Sequence, residues 1–562
     1  MNLTVFIIIL VIYLVATVLL GYLGWRRTKD ASDFMVGGRK THPYVMAISY
    51  GATFISTSAI VGFGGQAANL GMGLLWLTFL NIILGIFVAF VFFGKRTRLI
   101  GQNLDAHTFP ELLGKRYGSR AIQRIGGIIV FLFMPLYTGA VMIGAALFIV
   151  ETTKLSFVWA LVIFTVIIAA YVLAGGIKGV MYTDTLQGTI MLFGMIALLI
   201  LTYIKTPGGF IGTHQALTNL ATQVPEKLAA AGMQGWTTMP VLGSPLWWTL
   251  VSSIILGVGI GVLAQPQLAA RFMMVKSNKQ LNQGVLMGGI FILLMTGVAF
   301  VVGALSNLYF FDKTGKIAIA NVEGGNVDKI IPAFINSAMP PWFVYLFMIT
   351  LLAAAMSTIS GQFHAMGTSF GRDVFSRSTY APTYKEEKTM KGVVSTKVGI
   401  LIGIVIAFVF SVFHPVFKDI PEFTGIIAKA TSLFFGVCAS TFLPMYILGL
   451  FWKRANKAGA LAGMITGIVS SVFWMLFIHE STSKAIGLVT LLTGKTTLLA
   501  APWSNIDQIV LAFPLAFIVT IIVTLCTKRM PNEMVEKLSK PISQHSGSLA
   551  KKVKFNFAAL KI

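Results

Sequence analysis

The chain has 562 residues, of which 56% are hydrophobic and 11% are charged. Soluble domains carry about 25% charged residues, so this composition excludes a soluble globular protein and predicts an all-α integral membrane protein. The net charge of +24 comes from Lys and Arg in short loops and in the terminal segment, a distribution that membrane topology explains. We therefore expect a lipid bilayer, and no nucleic acid, as the partner of the basic residues.

The sequence carries no signature of catalysis. It has no Walker loop, no metal-ligand cluster and no nucleophile motif, and its apolar stretches contain no acid–base pair. Cys438 and Cys526 lie in apolar stretches and cannot form a disulfide framework. We expect a protein that is not an enzyme and that uses no organic cofactor.

Apolar stretches long enough to cross a bilayer recur along the whole chain, since a crossing helix needs about 20 residues. The first stretch lacks a basic n-region and a small-residue cleavage site, which predicts a retained span and not a signal peptide. About thirteen transmembrane helices are predicted, at residues 4–24, 44–69, 73–94, 124–150, 157–176, 180–204, 246–270, 283–308, 338–368, 397–415, 425–451, 457–478 and 508–527.

The distribution of Lys and Arg predicts the orientation. If the first loop, residues 25–43, is cytoplasmic, then cytoplasmic segments hold roughly three quarters of the 43 basic residues. The sequence therefore predicts a multi-pass protein of the plasma membrane, with the N-terminus outside and the C-terminus in the cytoplasm.

Two spans are rich in Gly and small polar residues. The second contains SYGATFISTSAIVGFGGQAA, and the seventh contains LGVGIGVLAQPQLAARF with its Gln265-Pro266 pair. Glycines in a membrane helix often serve close packing, but two such spans five positions apart indicate interrupted helices that begin two inverted five-helix repeats. Interrupted helices free backbone carbonyls that can replace the hydration shell of a cation.

The ninth span supplies oxygens that complement those carbonyls. Ser357, Thr358 and Ser360 lie within one turn, and Ser357 and Ser360 share a helix face. Hydroxyls together with carbonyls form a mostly neutral oxygen site, which suits sodium better than zinc or calcium.

Five motifs in order carry a resemblance to a known family. They are DFMVGGR after the first span, LAGGIKGVMYTDTLQGTIML at the sixth, AQPQLAARFM in the seventh, AAAMSTISGQ in the ninth and LPMYILGLFWKRANKAGALAGMI at the eleventh. From about residue 33 to residue 463 the chain resembles the sodium:solute symporter family. The resemblance implies secondary active transport: symport of a small organic solute with Na⁺ as the coupling ion, by alternating access.

The resemblance also implies the leucine-transporter architecture, a five-plus-five inverted-repeat core with one helix before it and two after it. The division that follows is 1–43 for the extra helix and a cytoplasmic loop, 44–245 and 246–452 for the two repeats, 453–527 for two C-terminal helices and 528–562 for a basic cytoplasmic tail. The tail either contacts anionic lipid or is solvated.

By the same resemblance, a main sodium site is expected between the second and ninth spans. Its ligands would be the carbonyls of Ala52, Ile55 and Ala354 and the hydroxyls of Ser357 and Thr358.

Asp184 in the sixth span is the candidate residue for a second cation site. Asp184, Ser357 and Ser360 match the second site that some family members have, but Gly361 stands where a serine would help, which favours one sodium. Asp184 could instead assist cation release, reach the interface, or carry protons. The last role gives the alternative function, a proton-coupled solute carrier of the same fold that uses Asp184.

The solute pocket is predicted between the two interrupted helices. A small carboxylate-bearing solute would benefit from the N-terminus of a half-helix, whereas valines in place of the aromatic residues of proline carriers argue against proline. The candidate solute-binding residues are Ser56, Thr57, Ser58, Gln66, Val258 and Val262.

Overall fold

The chain is almost wholly helical in the computed structural model. Between its helices, the only strand-like pairing in the described part is an isolated bridge from Thr41 to Val275. The part of the predicted basic tail at 540–562 lies outside the described residues. The structure describes residues 3–153, 155–206, 208–375, 393–414 and 425–539.

The main helices are named in chain order, and short helices in the connecting segments are left unnumbered. They are α1 Leu3–Arg27, α2 Ala31–Val36, α3 Pro43–Phe54, α4 58–70, α5 75–103, α6 Phe109–Arg116, α7 Arg120–Thr153, α8 157–175, α9 177–205, α10 Gly209–Asn219, α11 Pro245–Ala264, α12 Pro266–Phe272, α13 Asn278–Thr314, α14 Ile330–Ala338, α15 Pro341–Val374, α16 Val394–Val412, α17 Ile426–Phe451, α18 Lys457–Phe477, α19 Ile509–Cys526 and α20 Asn532–Ser539.

Eleven helices in the described ranges are long and apolar enough to cross a membrane. Two of them contain 46 and 49 residues, which is roughly 70 Å of helix against a hydrocarbon core of about 30 Å. The backbone leaves helical geometry within them, at Gly71 and at Gly176, where φ is positive. All-helical membrane architecture is confirmed, while the count of thirteen crossings stays a prediction.

Burial separates the centre of the bundle from its lipid face. The most apolar stretch of α15 is 94% buried, whereas that of α1 is only 22% buried. Because water is absent from the hydrocarbon, the exposed apolar residues of α1 face lipid, and α15 lies at the core.

The first interruption separates α3 from α4. Ile55 has an extended backbone (φ −90°, ψ 112°), and Ser56 then starts the new helix: its side-chain oxygen accepts the Ser58 N–H at 3.1 Å and its carbonyl accepts the Ala59 N–H at 3.0 Å. Serine competes with helical hydrogen bonding in this way and is a favoured N-cap. The sequence Ile-Ser-Thr therefore ends one helix and begins another.

The second interruption separates α11 from α12. Gln265 is extended (φ −67°, ψ 119°), and Pro266 is the first residue of α12. Proline clashes with a helical residue before it and is well placed at the start of a helix. The Gln-Pro pair therefore fixes this break.

One end of the bundle, the basic end, gathers cationic side chains that donate to carbonyls of neighbouring segments. These contacts join segments that are distant in sequence at this end of the bundle. They join Arg39 to Ala106 (2.9 Å), Arg98 to Val275 (3.2 Å), Arg116 to Gly449 (2.6 Å) and Lys178 to Arg27 (2.9 Å).

Candidate functional site

The end of α3 and the middle of α15 meet through hydroxyl and carbonyl oxygens. The Ser357 hydroxyl lies 2.8 Å from the Ala52 carbonyl oxygen and 3.2 Å from that of Ala354. All three residues are fully buried. The interruption after Phe54 leaves the Ala52 carbonyl free to face α15.

Thr358 extends this contact by one residue. Its hydroxyl lies 3.3 Å from the carbonyl oxygen of Ala52, 3.0 Å from that of Thr53 and 3.4 Å from that of Ile55. The structure thus brings together the five residues predicted as sodium ligands, and it adds the Thr53 carbonyl. We call these six residues the neutral cluster.

The chemistry of the neutral cluster fits a hard monovalent cation. It offers neutral oxygens without a carboxylate, sulfur or imidazole, whereas divalent and transition metals are usually bound by charged or softer groups. A hydroxyl can rotate its hydrogen away and turn a lone pair inward. The donor set fits sodium on these grounds.

A second polar cluster lies on the other side of Thr53 and centres on Asp184 of α9. One carboxylate oxygen accepts from the Ser49 hydroxyl at 2.6 Å and pairs with the Arg271 guanidinium at 3.1 Å. The other oxygen has no partner among the described residues. Asp184 is fully buried within the protein.

Arg271 of α12 provides the positive charge of this second cluster. It also donates to the Gln267 carbonyl at 2.6 Å and to the Ser49 hydroxyl at 3.2 Å, and it contacts the Thr53 hydroxyl. We call Ser49, Thr53, Asp184 and Arg271 the charged cluster. Sequence reasoning missed Arg271, although it directly follows the seventh span and belongs to the quoted motif AQPQLAARFM.

Two further residues of α15 border the charged cluster. A Cβ atom on Gly361 would lie 2.9 Å from the Thr53 methyl and 3.3 Å from Arg271 Nη2, so this position must stay small for the guanidinium to fit. The Ser360 hydroxyl donates to the Ser357 carbonyl at 3.1 Å. The Arg271 guanidinium therefore lies next to the position of Gly361, where a serine was considered for a second cation.

A cavity of about 20 Å³ lies between the two interruptions. Its walls come from α3, α4, α5, α7, α11, α13 and α17, and they include the predicted Ser56 and Val258. This volume holds about one water molecule, since one water needs at least roughly 10–15 Å³. A solute can enter only when these helices move apart.

The other four predicted solute-binding residues lie away from the cavity wall. Thr57 donates to the Val141 carbonyl at 2.7 Å, and Gln66 lies further along α4, half-buried. Ser58 and Val262 are buried but do not line the cavity. Their solute-binding role stays a prediction.

A second cavity, also about 20 Å³, lies between Arg271 and the basic end. His107, Thr108, Gln267 and His364 contribute to its wall. Burial and the nearby Arg372 guanidinium lower the pKa of His107 to about 4. This histidine is therefore neutral at physiological pH.

The opposite end is closed over α4 by the segment before α14. A Cβ atom on Gly65 would lie 2.1 Å from the Val327 carbonyl oxygen, so only glycine allows this approach. The adjacent Asp328 is fully buried, and its carboxyl accepts the Ile427 N–H at the start of α17 at 3.4 Å. Burial raises the pKa of Asp328 to about 7.

The sequence from residue 34 to residue 467 matches the sodium:solute symporter family. The chain belongs to this family. Family membership makes the protein a sodium-coupled symporter for a small solute and a transporter, not an enzyme. It is a multi-pass membrane protein.

Individual relatives and a solved structure agree with this assignment. The chain is 27% identical to the sodium/proline symporter 2 of Staphylococcus saprophyticus, over 87% of this chain and 89% of that one. It is 28% identical to the sodium/pantothenate symporter of Haemophilus influenzae, over 84% and 91%. A Na⁺-coupled sialic acid symporter, solved substrate-bound and outward-open, shares its fold with a TM-score of 0.70 at 19% identity, over 93% and 98%.

Proposed function

We propose that this symporter binds its coupling sodium in the neutral cluster and uses it to join α3 to α15 while solute is bound. The observation that carries the proposal is the approach of the Ser357 and Thr358 hydroxyls to the Ala52, Thr53 and Ile55 carbonyls at 2.8–3.4 Å. When sodium binds, its direct electrostatic contacts to these oxygens replace the hydrogen bonds between them.

The basic end faces the cytoplasm in this proposal, because short cytoplasmic loops collect Lys and Arg. The start of α1 then lies outside, and the solute cavity lies on the outer side of the charged cluster. The second cavity, between Arg271 and the basic end, forms part of the route inward.

The transport cycle follows from these positions. Sodium enters from outside and ties the interrupted helix to α15, solute fills the widened cavity, the helices rearrange, and both are released towards the basic end. One positive charge moving inward through 100 mV supplies about 2.3 kcal/mol, a concentration ratio of roughly fifty-fold before the sodium gradient is added. Linkage requires sodium and solute to raise each other's affinity equally.

One sodium per cycle is the stoichiometry we propose. Arg271 already supplies a positive charge to Asp184 at 3.1 Å, so a second sodium there would have to displace a guanidinium. Proton coupling through Asp184 is the alternative, but protonating this carboxylate would break its ion pair. The charged cluster therefore holds helices in place, and the neutral cluster takes the coupling ion.

The solute is a small carboxylate-bearing molecule in this proposal. The named relatives are symporters for proline and pantothenate, and the structural neighbour is one for sialic acid. Each of these compounds carries one carboxylate. The start of α4, where the helix dipole is positive, lies at the cavity and favours an anionic group.

Uptake by proteoliposomes tests the proposal. The purified protein is given a mixed pool of amino acids, monocarboxylates, sugars and vitamins, with and without an inward sodium gradient. We expect accumulation of a carboxylate-bearing compound only with the sodium gradient. Accumulation driven equally by a proton gradient without sodium would move the coupling role to Asp184 and overturn the sodium site.

A further inference from the structure

The cavity between the interruptions has five aromatic side chains in its wall, beside aliphatic and polar ones. Phe435 lies beside Tyr137, with ring centroids 5.2 Å apart, and beside Phe54 at 6.4 Å. Phe63 and Phe300 add two more rings. Such a surface favours a solute with an apolar body.

Most polar groups at this wall already have hydrogen-bond partners. The Thr296 and Thr431 hydroxyls donate to carbonyls of their own helices, at 2.9 and 2.7 Å. The Ser56 side-chain oxygen accepts from the Ser58 N–H at 3.1 Å, and the Tyr137 hydroxyl lies 3.4 Å from it. None of these groups lacks a partner.

Asn81 of α5 differs from these four side chains. It is 2% exposed, and its carbonyl oxygen has no hydrogen-bond partner. Of the five polar side chains that line the cavity in the described part of the chain, Asn81 alone has a buried atom in this condition. Buried amide oxygens are nearly always hydrogen-bonded to protein, water or ligand, so this oxygen is available to a solute that enters the cavity.

We propose that Asn81 selects the solute by accepting a hydrogen bond from it. The solute class is a compact monocarboxylate with an apolar body and one N–H or O–H donor, as in an α-amino or α-hydroxy acid. The inference rests on the proposed function and adds to it the chemistry of the solute. Its carboxylate lies near Ser56 and Tyr137 at the start of α4, and its donor meets Asn81.

The same census of polar groups excludes a polyhydroxylated solute. A sugar needs a hydrogen-bond partner for each hydroxyl that it buries, and Asn81 is the one side chain among the cavity's described lining with an unused buried acceptor. No charged side chain belongs to that lining, so a dianion would lack a counter-charge.

The test compares Asn81→Leu, which keeps the size and removes the amide, with Asn69→Leu. Asn69 also has a buried carbonyl oxygen without a partner, but it lies outside the cavity wall. Proteoliposomes containing each full-length variant are assayed for sodium-driven uptake of L-leucine, L-proline, L-lactate, D-glucose and N-acetylneuraminate. Size-exclusion chromatography reports folding.

We expect the transported probe to be an amino or hydroxy acid, and Asn81→Leu to raise its KM about tenfold or more. Asn69→Leu should leave this KM within twofold. Asn81→Asp keeps an acceptor of the same size, so it should raise the KM for an amino-acid probe less than Asn81→Leu does. It also serves as the test variant if Asn81→Leu does not fold.

An unchanged KM in Asn81→Leu, or sodium-driven uptake of D-glucose or N-acetylneuraminate, would overturn the inference. Failure of the proposed function has a different signature, because uptake would then persist without a sodium gradient. In that case the ratio of KM values between the Asn81 and Asn69 variants still decides the role of Asn81.

Discussion

The neutral cluster and the charged cluster border the same helix, α3, and differ in the source of their positive charge. In the charged cluster, Arg271 lies 3.1 Å from Asp184 as a permanent part of the chain. In the neutral cluster, hydroxyls and carbonyls approach one another without any charged side chain. The charged cluster has its own counter-charge, although one Asp184 oxygen is without a partner among the described residues, while the neutral cluster gains most from a cation that comes and goes.

Thr53 connects the two clusters. Its carbonyl accepts from Thr358 at 3.0 Å in the neutral cluster. Its hydroxyl lies 3.2 Å from Asp184 and 3.3 Å from the Ser357 carbonyl. A change in the coordination of the neutral cluster therefore reaches the charged cluster through one residue, which is a short physical route from ion binding to the basic end.

The largest effect is expected from removing the fixed cation. Arg271→Met leaves Asp184 as an unpaired buried charge, and breaking a buried pair in this way costs about 3–5 kcal/mol. We expect a marked fall in the thermal unfolding temperature of the purified protein in detergent. The double variant Asp184→Asn/Arg271→Met should regain at least half of the loss, and no recovery would show that the pair does not act as a unit.

A smaller and more specific effect is expected in the neutral cluster. Ser357→Ala or Thr358→Ala removes one ligand, and a hydrogen-bonding group facing a charge contributes about 1.5–3 kcal/mol, so the sodium KM should rise roughly tenfold to hundredfold. Protein abundance should change far less. Sodium-dependent uptake in proteoliposomes measures the KM, and unchanged sodium affinity in both variants would remove these residues from the site.

Thr350→Ala is the matched control for these variants. Thr350 lies on the same helix, is buried, and donates only to the Leu346 carbonyl at 2.9 Å. Its removal should leave the sodium KM within about twofold, as expected for a hydroxyl that serves its own backbone.

Asp328 is a buried carboxyl like Asp184, but it has a helix start in place of an arginine as its partner. Its pKa is raised from 3.8 to about 7 in the closed structure, and exposure on opening returns it towards 3.8. The closed state therefore binds the proton more tightly and is favoured as pH falls. Raising the pH from 6 to 8 should shift the closed-to-open ratio about tenfold towards open.

Thiol labelling measures this shift. With Cys438 and Cys526 replaced, a single cysteine at Val258 in the cavity is labelled by an impermeant reagent added from the outer side. The pH dependence of labelling is compared with that in Asp328→Asn, which cannot ionise. An identical pH dependence in both proteins would contradict the role of Asp328 in closure.

The smallest effect is expected at Ser360. Ser360→Ala removes one hydrogen bond to the Ser357 carbonyl, worth about 0.5–1.5 kcal/mol. The Hill coefficient for sodium should be one in both the wild type and the variant. A wild-type coefficient near two that falls in the variant would place a second sodium at Asp184 and Ser360.

Local pattern predicted the helix break and the hydroxyls of Ser357 and Thr358, whereas the Ala52, Ile55 and Ala354 carbonyls were predicted from the family resemblance; the structure brings all five residues together. A run of small polar residues after Gly51 indicated where helical hydrogen bonding stops, and hydroxyls one turn apart on a later span indicated where the freed carbonyls find partners. Both patterns involve residues that are close in sequence, so they can be recognised without knowledge of the fold.

Side-chain direction could not be predicted at the interruptions. When α4 restarts at Ser56, its helical phase no longer follows that of α3, so Thr57 turns towards α7 while Ser56 reaches the cavity. Asn81 was missed because its span is otherwise apolar except for Thr78. Arg271 was missed as a partner of Asp184 because only the fold brings α12 to α9.

The small cavity between the interruptions also bears on ion leakage through the idle carrier. With room for about one water molecule and five aromatic side chains in its wall, this cavity is too small for a hydrated ion in the described part of the chain. Each sodium ion that leaked inward through 100 mV would release about 2.3 kcal/mol without transporting any solute. In this conformation the cavity between the interruptions is therefore closed to that loss.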